Sequence, residues 1–290
     1  MFENIFRGFS FIKESFSLVT KDKDLIKPSI YSIFFGILFT VITGIAIYLS
    51  TAMMPQELVY ILVFLVLLGE YYISYFFTGM TAFLVYDYFK DGDATMSEAW
   101  TAAKKNAVTL FYLSIISAIV KVVTGVLRGK SGRDRGAAGG LANMVIGFIE
   151  RVWTVATYFI IPAIVIEDRD LKGAVARATD IMQRHLLPIG VGEIAVGLVT
   201  GLLTLIGFIA AIVIGFVIFG AMSGANAFAG GLIAIVVAAV IIVLVIALSM
   251  YVTTAYHTCL FLWARSVEDA GAGAQGTVKP PAPIANTLGV

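Results

Sequence analysis

The chain has almost none of the side chains that usually carry chemistry. One cysteine in 290 residues, Cys259, excludes an internal disulfide, and two histidines, His185 and His257, leave little for a histidine-based metal site. Charged residues make up 13% of the chain, about half the share of an average soluble domain. The net charge of +1 offers no basic or acidic excess for nucleic acid. No HExxH, no cysteine pair and no GxSxG occurs, which removes the common metal-hydrolase and serine-hydrolase constellations. Gly125 and Gly129, ahead of Lys130 and Ser131, have three residues between them where a phosphate loop needs four, and they follow an apolar segment rather than a strand. Asp87 and Asp93 lie together at one membrane exit, whereas a proton-sharing dyad needs carboxylates facing each other from separate helices; a solvated helix-ending turn is expected there. The expectation is a protein that is not an enzyme and binds no cofactor or metal.

What is abundant is hydrophobic surface, at 59% of residues. Six segments are long and apolar enough to cross a bilayer, about Ser29 to Leu49, Leu58 to Phe89, Ala107 to Leu127, Leu141 to Ile166, Leu187 to Phe219 and Leu232 to Ala264. The second, fifth and sixth are well over 20 residues, so they should tilt, kink or project beyond the hydrocarbon. The first 28 residues alternate charge with aromatics and lack the apolar core of a signal peptide, so the N-terminus is expected to be retained. Lys and Arg number 5, 3, 4 and 2 in the N-terminus, the 90–106 loop, the 167–186 loop and the C-terminal tail. The turns at 51–57 and 220–231 have none, and the basic loop Arg128 to Gly136 argues the other way with 4. The balance places both termini in the cytoplasm of a multi-pass plasma-membrane protein.

Between the spans lie short amphipathic stretches. Over Leu171 to Arg184, Leu171, Ala174, Val175, Ala178 and Ile181 recur at helical spacing opposite Lys172, Arg177, Asp180 and Arg184, with Asp170 as N-cap. Such a helix is too short and too charged to span, so it should lie in the interface with its cations toward water and anionic headgroups. The N-terminus repeats the plan with Ile5, Phe9, Ile12, Phe16 and Val19. Thr95 to Glu98 repeats it as a capping-box pattern that opens a helix bearing Trp100, Lys104 and Lys105. The chain therefore reads as all-α, a polytopic membrane protein with six transmembrane helices in three hairpins, each preceded by a short interfacial helix. Its units are about 1–89, 90–166 and 167–265 of one membrane domain 1–265. A Gly-, Ala- and Pro-rich tail, 266–290, is expected to be disordered.

Three stretches, FRGFSFIKESFSLVTKDKDL, DGDATMSEAWTAAKKN and IPAIVIEDRDLKGAVARATDIMQRHLLPIGVGEI, resemble an uncharacterised family of bacterial and archaeal six-span membrane proteins known as a domain of unknown function. The resemblance runs from about Phe6 to Arg265, and the chain is also distantly similar to the membrane domain of some glycerophosphodiester phosphodiesterases. The resemblance implies six spans and a membrane location, and supplies no activity, cofactor or catalytic residue.

Ionisable residues inside spans carry the most information, because a charge in hydrocarbon costs several kcal/mol unless paired, neutralised or hydrated. Glu70 lies mid-span beside Tyr71, Tyr72 and Tyr75, whose hydroxyls are placed to bond it, either as a structural protonated acid or as an ion or proton site. Lys121 is expected to meet Glu150 and Arg151 across a hairpin, and Glu193 to meet a basic residue of the interfacial helix. Gly197-x-x-x-Gly201 permits close helix approach within the monomer or in a homodimer, and Pro162 and Pro188 are placed to set the angles around the central interfacial helix. The function read from this pattern is a scaffold or accessory subunit. It would organise membrane lipids or protein partners through Lys104, Lys105, Lys172, Arg177 and Arg184; a transporter or channel for a small solute or ion, using Glu70, is the alternative.

Overall fold

A computed structural model describes residues 14–51, 55–131, 137–184, 186–271, 278 and 281 of the chain. Every regular element among them is helical. After a helical stretch at 14–21 and a 3-10 turn at Lys23–Ile26 come α1 (Lys27–Thr51), α2 (Gln56–Asp91), α3 (Met96–Lys105), α4 (Ala107–Ser131), α5 (Ala137–Val165), α6 (Leu171–Arg184) and α7 (Leu186–Ala270). Six helical segments are long and apolar enough to cross a membrane: Lys23–Leu49, Leu58–Asp91, Ala107–Gly129, Gly139–Val165, Val196–Met222 and Asn226–Ala270. The fold is thus an all-α polytopic membrane fold, with spans close to those read from hydrophobicity. Ile5, Phe9 and Ile12 of the first amphipathic stretch, and Arg133 and Arg135 of the basic loop, lie outside the described residues.

The chain divides into two compact units, Phe34–Arg184 and a second made of Met1–Ile33 with His185–Val290. In the first, α2, α4 and α5 pack on one another, with Leu110, Leu113, Phe159 and Ile161 fully buried. At 36 residues α2 is about 54 Å long, well beyond the roughly 30 Å of hydrocarbon. Its Met80, Ala82 and Leu84 are fully buried in its final third, and α3 packs back along it with Trp100 against Phe76 at 5.2 Å between ring centroids. Gly92 ends α2 in the left-handed conformation at φ 81, which glycine adopts without Cβ strain.

Two expectations about local geometry change here. Thr95 is the N-cap of α3, but its side chain makes no capping bond; its amide instead donates to Asp87 Oδ2 at 3.2 Å. Asp87 is accordingly 4% exposed, a buried anchor rather than part of a solvated turn. Pro162 lies inside α5 rather than at the entrance to α6. The chain turns instead at Asp168, a non-glycine residue at φ 52, before Asp170 caps α6 by accepting from the Gly173 amide at 2.9 Å.

In the second unit, α7 is helical throughout except at Asn226 (φ −160, ψ 94), where the chain reverses. The reversal follows from the cross-limb pairs: Thr204 with Ser249, a Cβ placed at Gly207 against Val245, and one placed at Gly215 against Ala238. Residue numbers in these pairs fall on one side as they rise on the other, so the limbs are antiparallel. A Cβ at Gly207 would come within 2.5 Å of Val245, so only glycine allows that approach. Gly201 faces open space within the chain, and the close approach of the two limbs falls at Gly207. The helix runs to Ala270 with Val267 buried, past the boundary at 265 suggested by composition, and Trp263 Nε1 donates to the Val278 carbonyl at 3.3 Å.

Candidate functional site

Each charge placed in a span by this sequence has to find a partner, and four polar groupings result. The first joins α4 to α5. Glu150 accepts from Lys121 Nζ at 3.2 Å, from Thr124 Oγ1 at 2.9 Å and from Arg128 at 2.6 Å. The Lys121–Glu150 meeting was legible from hairpin geometry; Thr124 and Arg128 were not singled out, although both lie at helical spacing from Lys121 and so share its face. Arg151 points to the exposed side of α5.

The second holds α1 to α2. Glu70 Oε1 accepts from the hydroxyl of Thr40, while Phe39 lies over Gly69 one residue away. The sequence had suggested the neighbouring tyrosines as donors. Tyr75 is instead committed to α4, donating to Ser117 Oγ at 2.8 Å, where Trp153 Nε1 of α5 also donates at 3.0 Å. Consecutive residues on one helix point about 100° apart, so Tyr71 is carried away from its neighbour Glu70.

Tyr71 and Tyr75 turn toward the third grouping, a cavity of about 190 Å³ between α2 and α5. Thr78, Trp153, Thr157 and Tyr158 share its wall, so hydroxyl and indole groups converge within the membrane-spanning part of the unit. At roughly 30 Å³ per water molecule it has room for about six, or for one small hydrogen-bonding solute.

The fourth grouping lies in α7. Glu193 pairs with His257 across the hairpin, Oε2 to Nε2 at 2.9 Å. His257 is 1% exposed, and its Nδ1 lies 2.7 Å from the Thr253 carbonyl. That oxygen only accepts, so Nδ1 must donate, and Nε2 and the carboxylate must then share a second proton. The pair is therefore either imidazolium with carboxylate or neutral ring with carboxylic acid. The low histidine count hid this residue, whose partner is 64 positions away.

Outside the spans, Asp168 ties the start of α4 to the turn before α6. It accepts from Lys105 Nζ at 2.7 Å and from Asn106 Nδ2 at 3.0 Å. Lys105, and then Asn106, hold its carboxyl below the ordinary range. Of the five cations expected to meet lipid or partner, Lys104 and Lys172 are exposed, Lys105 is bound to Asp168, and Arg184 bonds Asp180 on the same helix at 2.8 Å. Arg177 departs from the expectation. Its side chain is 11% exposed and pairs at 3.4 Å with Glu167, itself 11% exposed, because the turn at Asp168 brings Glu167 over the flank of α6.

The model of a family of unknown function, DUF6159, matches residues 57–271, and the chain belongs to that family. The match begins after the N-terminal stretch in which the resemblance was first visible. No curated protein and no solved structure matches the chain.

Proposed function

We propose that this family member is a non-enzymatic scaffold or accessory subunit of the plasma membrane, organising lipids or partner proteins through α3 and α6 on the cytoplasmic side. One observation carries the reading: Asp168 bolts the C-terminal end of α3 to the turn that launches α6, so both helices are held at one end of their unit with Lys104, Lys172 and Arg184 on the outside. A polybasic surface held in place next to a bilayer attracts anionic headgroups at about 1 kcal/mol per cation. Purification in mild detergent, with co-purifying proteins and lipids identified by mass spectrometry, tests it. Charge reversal at Lys172 and Arg184 should strip those companions without unfolding the protein, and an unchanged set would sink the reading. The orientation is tested separately: in a Cys259-free background, cysteines at Ser97 and Thr179 should react with impermeant thiol reagents only after the cell is opened.

A second reading, passage of a small solute or ion, draws support from the hydroxyl-lined cavity between α2 and α5. Reconstituted protein should then show a flux across a broad solute panel. Glu70→Gln, which keeps the shape and removes the charge, should abolish any pH- or cation-dependent part. No flux in the wild type would dispose of this reading.

A further inference from the structure

Between α1 and α2 lies an open groove of about 450 Å³ whose walls are almost wholly apolar, with Leu38 and Ile42 on one side and Ile73 and Phe76 on the other. It exists because the two helices touch at two levels. Phe39 sits on Gly69 next to the Thr40–Glu70 bond, and Phe35 stacks on Phe77 at 5.7 Å, leaving a furrow beside those contacts. Trp100 of α3 lines the groove, packed on Phe76, so an indole stands where the furrow meets the amphipathic helix. Tryptophan favours that level of a bilayer because its ring is apolar at one end and a hydrogen-bond donor at the other.

We propose that this groove is a structured binding site for one anionic phospholipid, with an acyl chain in the furrow and the headgroup phosphate on Lys104. The charge argument is specific. Lys104 follows Trp100 by four residues and so stands one turn along the same face of α3. It is exposed, and it has no carboxylate partner among the described residues, whereas its neighbour Lys105 is taken by Asp168. An apolar furrow in a membrane span is filled by hydrocarbon, and an ammonium one helical turn from the Trp100 that lines it would select a negative headgroup over a zwitterionic one. The site requires only that the chain lies in a membrane, and it stands even where the scaffold reading fails.

The test uses full-length protein, delipidated in detergent and titrated with phosphatidylglycerol or phosphatidylcholine, with bound lipid counted by native mass spectrometry. Wild type should hold one phosphatidylglycerol with about fivefold preference over phosphatidylcholine, the value of one lysine contact. Lys104→Glu should erase the preference while still taking up a chain. Leu38→Trp enters the furrow from its open side and should abolish both lipids with the melting temperature in detergent unchanged. Glycerol phosphate, which has the anion and no chain, should displace nothing. A lipid retained by Leu38→Trp, an anionic preference surviving Lys104→Glu, or displacement by glycerol phosphate would each overturn the site.

Discussion

α3 and α6 are built to one plan, a short helix with alanines on one side and cations on the other, yet they dock differently. In α6 the stripe is buried through Ala174, Ala178 and Ile181, and one of its cations, Arg177, is folded inward onto Glu167. In α3 only Ala99 and Ala103 are buried, while Trp100 stays half exposed and Lys104 points outward. An amphipathic pattern therefore specifies that a helix lies on a surface. Which of its charges remain available is decided by the loop next to it. Glu167 precedes the turn at Asp168 and reaches Arg177; before α3 the buried carboxylate is Asp87, in the last turns of α2, and it is taken by the Thr95 backbone amide instead.

The largest effect should come from Ile181→Asp. That side chain is 1% exposed, and an unpaired carboxylate there should cost about 3 to 5 kcal/mol, read as lost yield or a collapsed melting transition. Val175→Asp should be milder, since Val175 is only half buried. If both are tolerated, α6 is a solvated linker and the contrast with α3 disappears.

The next separates the cations of α6 from each other. Arg177→Glu sets two carboxylates face to face in a nearly closed site and should cost about 3 kcal/mol. Arg184→Glu disturbs only an exposed pair within the helix and should stay within about 0.5 kcal/mol. Thermal melting of the two variants in parallel measures the difference, and equal losses would show that the inward fold of Arg177 has no energetic weight.

A smaller effect concerns pH. The carboxyl of Asp168 is held low by Lys105 and Asn106, so its contribution is fully present above its unfolded value and is lost as pH falls through the lowered one. Wild type should lose melting temperature on acidification below about pH 4. Asp168→Asn, a residue that tolerates φ 52, should lower stability at neutral pH and give a flatter acid limb. Parallel acid limbs would mean the exposed bonds contribute nothing.

The spans, the amphipathic helices and the Lys121–Glu150 contact were legible because each depends on short-range periodicity or on two helices joined by one turn. The pairing of Glu193 with His257 was not legible, for a physical reason. A span of this length returns on itself, so a residue near its start meets one near the end of the next limb, and His257 can be found only once the reversal at Asn226 is known. Arg177 was misjudged because face arithmetic treats a helix as isolated, while Glu167 approaches from outside it. The groove beside Trp100 depends on the separation of α1 and α2, which no periodicity encodes.

The α7 hairpin presents a problem of alignment. Its limbs are glycine, alanine and aliphatic residues along most of their length, and in lipid one register of such smooth surfaces is nearly as favourable as the next. Thr204–Ser249 and Glu193–His257 are polar places where a slip would be felt, because a shift of one residue turns every side chain by about 100° and would part both pairs. They stand about 16 Å apart along the first limb, far enough to fix both the sliding and the rotation of one limb on the other. The span that hydrophobicity alone would leave free to drift is in this way held to a single setting.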